Sequence, residues 1–240
     1  MRVCILLHCL LPLVLPAQDQ AAALIFSTRY GGQLPGGDFQ HRFGSSLRTS
    51  LFASYQGIRQ KGVWGARSFF QFGGSVKENV LSQILTPDGY LIGNDKSPAA
   101  VALRQRAWFL GIGRGFRFPP SNLTWKRLQF DFSAGIFGHK IRIQEDAARF
   151  VPQIHGDYKK GYDRLANGPA CLMSMAFQLE AGQDRFLAGF DFLLARTYHR
   201  RASQFDTGTR DTDPFHVFQP GLFLAYQFRK DLRDPGSLRY

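Results

Sequence analysis

Cysteine is scarce in this sequence of 240 residues, which holds three: Cys4, Cys9 and Cys171. Two of them lie in an N-terminal apolar run, so a chain that loses the run keeps Cys171 alone and forms no internal disulfide. That excludes a small secreted domain stapled by disulfides. Long apolar runs are missing as well. The 13 residues of 3–15 fall short of the roughly 20 that a membrane-crossing helix needs, and no second run comes closer. Metal-ligand spacing is absent: His139, His155, His199 and His216 are scattered, with no Cys-x-x-Cys or His-x-x-x-His. Gly111, Gly113 and Gly115 alternate, but no helix pattern follows them, so a phosphate-binding loop is excluded. No cofactor and no metal are expected. No linker or internal repeat divides the chain, which reads as one unit.

Acidic residues are few, 18 against 30 Lys and Arg, which gives a net charge of +12. A surplus of this size implies an anionic neighbour, either nucleic acid or a phosphate-bearing membrane surface. The N-terminus decides between them. Arg2, the apolar run 3–15 and Pro16-Ala17-Gln18 follow the order of a secretory signal peptide, with cleavage expected after Ala17. A short anchor is the competing reading. A lipoprotein is disfavoured, because Cys9 sits inside the apolar core behind Leu7-His8. Residues 1–17 are therefore expected to be a signal peptide and 18–240 the mature domain. Export favours the membrane surface and no nucleic-acid partner.

What the sequence has instead is alternation. In 128–136, Leu128, Phe130, Phe132, Ala134 and Ile136 oppose Gln129, Asp131, Ser133 and Gly135. Segments 23–31, 47–56, 64–72, 171–180 and 186–194 show the same period of two, and 101–116 and 216–228 complete a set of eight. A tilted barrel strand requires this period, because successive side chains face lipid and lumen. The connections alternate in length: 32–46, 76–99, 140–169 and 199–214 are long, while 58–62, 118–124 and 181–184 are short. Short periplasmic turns and long external loops give that order when both termini lie inside. The fold class expected is all-β, an eight-stranded antiparallel up-and-down transmembrane β-barrel with long external loops. A soluble periplasmic lipocalin-like carrier also alternates, and Gly62-Val63-Trp64 mimics the lipocalin signature. Parity alone does not choose between these two.

The last strand favours the membrane. Residues 219–226 resemble the C-terminal recognition signal of bacterial outer-membrane barrels, through Gly221, Leu224, Tyr226 and then Phe228. The resemblance implies insertion by the barrel-assembly machinery. Pro220 and the polar tail 229–240 depart from the pattern.

Parity places Arg29, Arg48, Arg67, Gln71, Asp131, Glu180 and Asp191 in the lumen, where they are expected to form a compensating polar network that fills a narrow bore. Arg104 and Arg106 share parity with Trp108 and Leu110, so they belong above the bilayer. With Arg200 and Arg201 they are expected to meet lipopolysaccharide phosphates. Asp131, Ser133 and His139 share one strand and one parity, the right types for a lipid A deacylase-like enzyme at the rim. Along a strand at about 3.3 Å per residue they spread over about 25 Å, too far for a triad. No catalytic residue is assigned on this basis.

Loop 140–169 carries the most distinctive text. Arg142, Asp157, Tyr158, Lys159, Lys160, Tyr162, Asp163 and Arg164 mix charge with aromatics, unlike a disordered linker. Loop 76–99 also reads as a structured cap. The blocks 138–146, 151–154 and 156–165, with Ile-Gly-Asn-Asp at 92–95, look like a family of outer-membrane β-barrels from Bacteroidota to which no activity is assigned. The resemblance implies location and fold. The function expected is a non-enzymatic outer-membrane barrel whose external loops bind a partner or surface ligand, as an accessory of an envelope secretion or uptake complex. A lipid-modifying rim enzyme and the soluble carrier are the alternatives.

Overall fold

The computed structural model describes residues 22–57, 62–117, 128–145, 150–156, 161–162, 165–181, 184–199 and 213–232. The expected signal peptide, 1–17, lies outside them. Eight strands follow one another in chain order: β1 (Ala23–Gln33), β2 (Ser46–Gln56), β3 (Gly62–Gly73), β4 (Val101–Arg117), β5 (Leu128–Glu145), β6 (Ala166–Ala181), β7 (Asp184–His199) and β8 (Phe215–Asp231). Each pairs antiparallel with the next, and β1 pairs with β8 from Ala23↔Asp231 to Gln33↔Gly221. The sheet closes, so it is an eight-stranded up-and-down barrel.

Burial alternates along the strands and settles which face is which. On β2 the buried positions are Ser46, Arg48, Ser50, Phe52, Ser54 and Gln56, while Leu47, Thr49, Leu51, Ala53 and Tyr55 are exposed. The outer wall is apolar: Leu51 is 60% exposed, Ile112 71%, Leu222 61% and Leu224 66%. A soluble carrier would show water a polar wall and keep its apolar side chains inside. This barrel does the reverse, which is the arrangement of a transmembrane barrel. Aromatics lie toward both ends of that wall, with Tyr55, Trp64, Tyr226 and Phe228 near the short turns and Tyr30, Phe72, Tyr198 and Phe218 near the long loops. Such girdles sit at the two membrane–water interfaces.

Two expectations about extent need correction. β5 continues to Glu145, so Lys140, Ile141, Arg142 and Ile143 belong to a strand paired with β4 at Arg106, Gln105, Arg104 and Leu103, rather than to a loop. Alternation explains it: Ile141 and Ile143 are buried inside while Lys140 and Arg142 face out. Mixed charge made this stretch look like loop text, but charge on one parity and isoleucine on the other is strand text. β8 likewise spans Phe215–Asp231, running unbroken through Pro220.

Above the barrel the chain folds back on itself. Residues Gly36–Gly37 pair with Val217 and Phe218 of β8, a four-residue helix (Phe39–Arg42) follows, and a hairpin forms from Leu91–Ile92 and Pro98–Ala99. A 3-10 turn occupies Pro152–Ile154. These pieces place Phe39, Phe43, Val80, Leu81, Leu91, Ala99, Val151 and Ile154 in one core with Phe69, Phe109, Phe137, Ile141 and Ile143 of the barrel. The upper lumen is therefore lined largely by apolar side chains, and the polar network fills the part below it.

A charge on the outer wall tests the membrane assignment. Leu51→Arg is expected to destabilise the protein by about 2–4 kcal/mol in lipid bilayers, read from equilibrium unfolding in vesicles. No loss in bilayers would overturn the lipid-facing assignment of β2.

Candidate functional site

Inside the barrel, alternate residues of neighbouring strands bring basic and acidic groups into one cluster. Arg29 on β1 and Arg67 on β3 both donate to Asp131 Oδ2 on β5, the Arg67 Nη2 bond measuring 3.0 Å. Strands β1 and β5 stand four apart in a ring of eight, so the Arg29–Asp131 pair crosses the bore from wall to wall. Gln129 Nε2 donates to Asp131 Oδ1 at 2.9 Å, and Arg67 Nη1 to Ser174 Oγ at 2.8 Å. Nearer the loops, Arg48 donates to Asp191 Oδ2 at 3.1 Å and to the amide oxygens of Gln71 and Gln219 at 3.3 and 3.1 Å. Gln71 in turn donates to Ser46 Oγ at 2.7 Å.

Each of the three arginines also lies over a phenylalanine ring: Arg29 over Phe223 at 4.6 Å, Arg48 over Phe69 at 4.1 Å and Arg67 over Phe52 at 4.7 Å. A guanidinium removed from water needs both a carboxylate and something flat beneath it, and the rings supply the second. The expected lumen residues Arg29, Arg48, Arg67, Gln71, Asp131 and Asp191 are thus brought together. The side chain of Glu180 lies outside the described residues. The sequence reading did not single out Gln129, Ser174, Gln219 or the three stacked phenylalanines. The inward parity of each strand was the signal that would have found them.

Over this plug sits the cap, held by Arg42. Its side chain is 2% exposed, pairs through Nε with Glu78 Oε2 at 2.7 Å and lies 3.4 Å from His139 Nδ1. Its backbone carbonyl accepts from Lys77 N at 3.0 Å. His139 contacts Thr197 Oγ1 at 3.0 Å within a cage of Phe39, Phe43, Phe137 and Phe215 rings. His139 is therefore a cap residue. It is not brought to Asp131, which is engaged with Arg29 and Arg67, and Ser133 is buried between them. Among the described residues no group of His, Cys, Asp or Glu could hold a metal ion.

Further out, Asn94 N donates to the Phe150 carbonyl at 3.1 Å, which joins the 91–99 hairpin to segment 150–156, and His155 pairs with Glu145 of β5. Tyr162 packs against the cap core, and burial pushes its phenol up. Asp157, Tyr158, Lys159, Lys160, Asp163 and Arg164 lie outside the described residues, as do Arg200 and Arg201. Arg142 does not belong with the loop group: it stands on the outer face of β5, opposite Arg104 of β4. Arg104 is exposed and Arg106 partly so, both facing out as parity required. On β8, Leu224, Tyr226 and Phe228 face out, whereas Gly221 faces Gln33, whose Nε2 lies 2.1 Å from where a Cβ would stand.

No family model matches the chain, and no curated protein matches it. Solved structures similar to it include Ail, the attachment invasion locus protein of Yersinia pestis, in complex with the heparin analogue sucrose octasulfate. That pair has 12% identity over 87% of this chain and 100% of that one, with a TM-score of 0.46. Neisserial surface protein A is another, with 8% identity over 87% and 98% of the chains and a TM-score of 0.40.

Two variants separate plug from cap. Asp131→Ala leaves Arg29 and Arg67 buried without their shared carboxylate and is expected to cost about 3–5 kcal/mol, read from urea unfolding in lipid; a change below about 1 kcal/mol would place the plug in a wet, screened bore. Arg42→Ala is expected to speed proteolysis within 74–100 while the heat-dependent gel shift of the barrel persists. Unchanged proteolysis would show that the apolar core holds the cap without Arg42.

Proposed function

We propose that this chain is a non-enzymatic outer-membrane barrel whose external cap is a binding surface for a partner or surface ligand. The observation that carries the reading is the contrast between a bore that is filled and a cap that is ordered yet shows apolar side chains to water. Tyr90 is 43% exposed, Ile92 42% and Phe150 50%, all on segments tied down by backbone hydrogen bonds. Side chains of that kind on a folded platform outside the membrane are what a recognition surface uses. The bore offers no comparable opportunity, because ion pairs span it and phenylalanines seal it from above. An outer-membrane location is supported by the lipid-facing wall, since closed barrels with long loops on one side reside there. An accessory role in an envelope secretion or uptake complex suits a cap that binds and a barrel that anchors.

The test introduces a photo-crosslinking residue at Tyr90, Ile92 or Phe150 in intact cells, with Thr49 on the barrel wall as the comparison. One and the same adduct is expected from the cap positions, absent from Thr49 and lost in Ile92→Asp. Stepwise conductance of the purified chain in planar bilayers, or no adduct from any cap position, would overturn the reading.

A further inference from the structure

We infer that the short-turn end of the outer wall binds the phosphate of a periplasmic-leaflet phospholipid on Arg114, in a seat made by Trp64, Phe116 and Gly62. Arg114 lies on β4 with its side chain exposed on the outer face. Its ladder partners are Trp64 of β3 and Phe132 of β5, and Ile112 and Phe116 flank it on the same face of its own strand. A cation set among such side chains is costly in hydrocarbon unless it reaches water or an anion. The side chain shows which way it reaches. Its guanidinium carbon stands 5.2 Å from the centre of the Trp64 ring and 4.9 Å from that of Phe116. A Cβ on Gly62 would come within 2.8 Å of Arg114 Nε. Gly62 and Phe116 pair with each other two residues nearer the short turns than the Trp64–Arg114 pair. The guanidinium therefore descends toward the periplasmic rim, over the space that glycine leaves, as long basic side chains do when they snorkel.

The sequence on this side of the barrel is basic. No Asp or Glu occurs from 39 to 77 or from 96 to 130. Those stretches contain the whole of β2, β3 and β4, together with the two short connections, 57–61 and 118–127, that adjoin this end of the wall. The connections carry Arg59, Lys61, Lys126 and Arg127 instead. On β5, Asp131 faces the bore between Arg29 and Arg67, and Glu145 lies at the opposite end of the strand. The strand carboxylates at the short-turn end, Glu180, Asp184 and Asp231, belong to β6, β7 and β8 on the other side of the ring. An anion that approaches β3 and β4 from the periplasmic side thus meets positive charge without competition from the strands there.

Depth identifies the anion. Toward the long loops the outer faces of β4 and β5 run Ile112/Ala134 and Leu110/Ile136, which is hydrocarbon. Trp64 belongs to the aromatic girdle at the short-turn end, and lipid phosphates lie just beyond such a girdle. Stacking against rings occupies the faces of a guanidinium and leaves its N–H edge free. That edge binds two phosphate oxygens at once. A phosphodiester held there leaves its acyl chains beside Ile112 and Phe132, which are 71% and 47% exposed. Rings, fork and apolar wall together fit a glycerophospholipid.

The inference rests on the membrane placement proposed above, and outer-membrane fractionation tests that placement separately. The site itself is tested by native mass spectrometry of the full chain in mild detergent, with added phosphatidylglycerol or the matching diacylglycerol, which lacks the phosphate. Wild type is expected to retain one phosphatidylglycerol about tenfold better than diacylglycerol. Arg114→Gln is expected to lose most of that preference while keeping the heat-dependent gel shift. Arg114→Lys is expected to fall between, because it keeps the charge and loses the fork. Arg196→Gln, which removes an exposed arginine over Tyr198 at the long-loop end of β7, is expected to match wild type. Wild-type preference in Arg114→Gln, or an equal loss in Arg196→Gln, would overturn the site. Displacement of the lipid by glycerophosphate at equal concentration would overturn the lipid assignment in favour of a soluble anion.

Discussion

Closure of β1 onto β8 is the constraint from which the rest follows. Lipid offers no partner for a backbone N–H or C=O, so a sheet that crosses it must leave no edge. Once the sheet closes at eight strands, its interior is just wide enough for side chains to fill. Every second residue is then committed to a small enclosed volume and every other one to hydrocarbon. The clean division on β2, with Arg48, Ser50, Phe52 and Ser54 inside and Leu47, Leu51 and Tyr55 outside, is the direct result.

Filling that volume with charge is costly unless the charges are paired and their remaining atoms are occupied. The barrel meets this by sharing one carboxylate, Asp131, between two guanidiniums from different strands and by laying each guanidinium on a phenylalanine face. Pairs between distant strands, Arg29 with Asp131 and Arg48 with Asp191, also fix which wall faces which. These pairs occupy the polar groups that line the bore, whereas the outer surfaces keep theirs exposed.

Much of this was legible in the sequence, for a physical reason. A period of two is imposed by the pleat, so strand number, the inward Arg29, Arg48, Arg67, Gln71, Asp131 and Asp191 and the outward Arg104 and Arg106 could be read from parity. Connection lengths gave the topology because antiparallel neighbours need only short turns on one side. Direction was not legible from alternation, which is the same whether the greasy face looks in or out; the last-strand text through Gly221, Leu224, Tyr226 and Phe228 pointed to lipid, and the exposed Leu51, Ile112 and Leu224 agree with it. The cap was legible only as structured text. That Phe39 and Phe43 descend onto His139 and Phe137 depends on contacts about a hundred residues apart, which no local pattern encodes. The reach of β5 was misread because Lys140 and Arg142 were weighed as composition instead of as one parity of a strand.

That extension of β5 connects the two surfaces. His139 is opposite Ala166 at the start of β6, so residues 140–145 rise beyond β6 with β4 as their ladder partner. The inner parity of the extension, Ile141 and Ile143, forms part of the cap core, and the outer parity, Lys140 and Arg142, faces away from the bore. The same strand pair therefore belongs to the cap on one face and to the outer surface of the barrel on the other. A change on the outer parity of this ladder acts on the same backbone that carries Ile141 and Ile143 into the core with Val151 and Ile154.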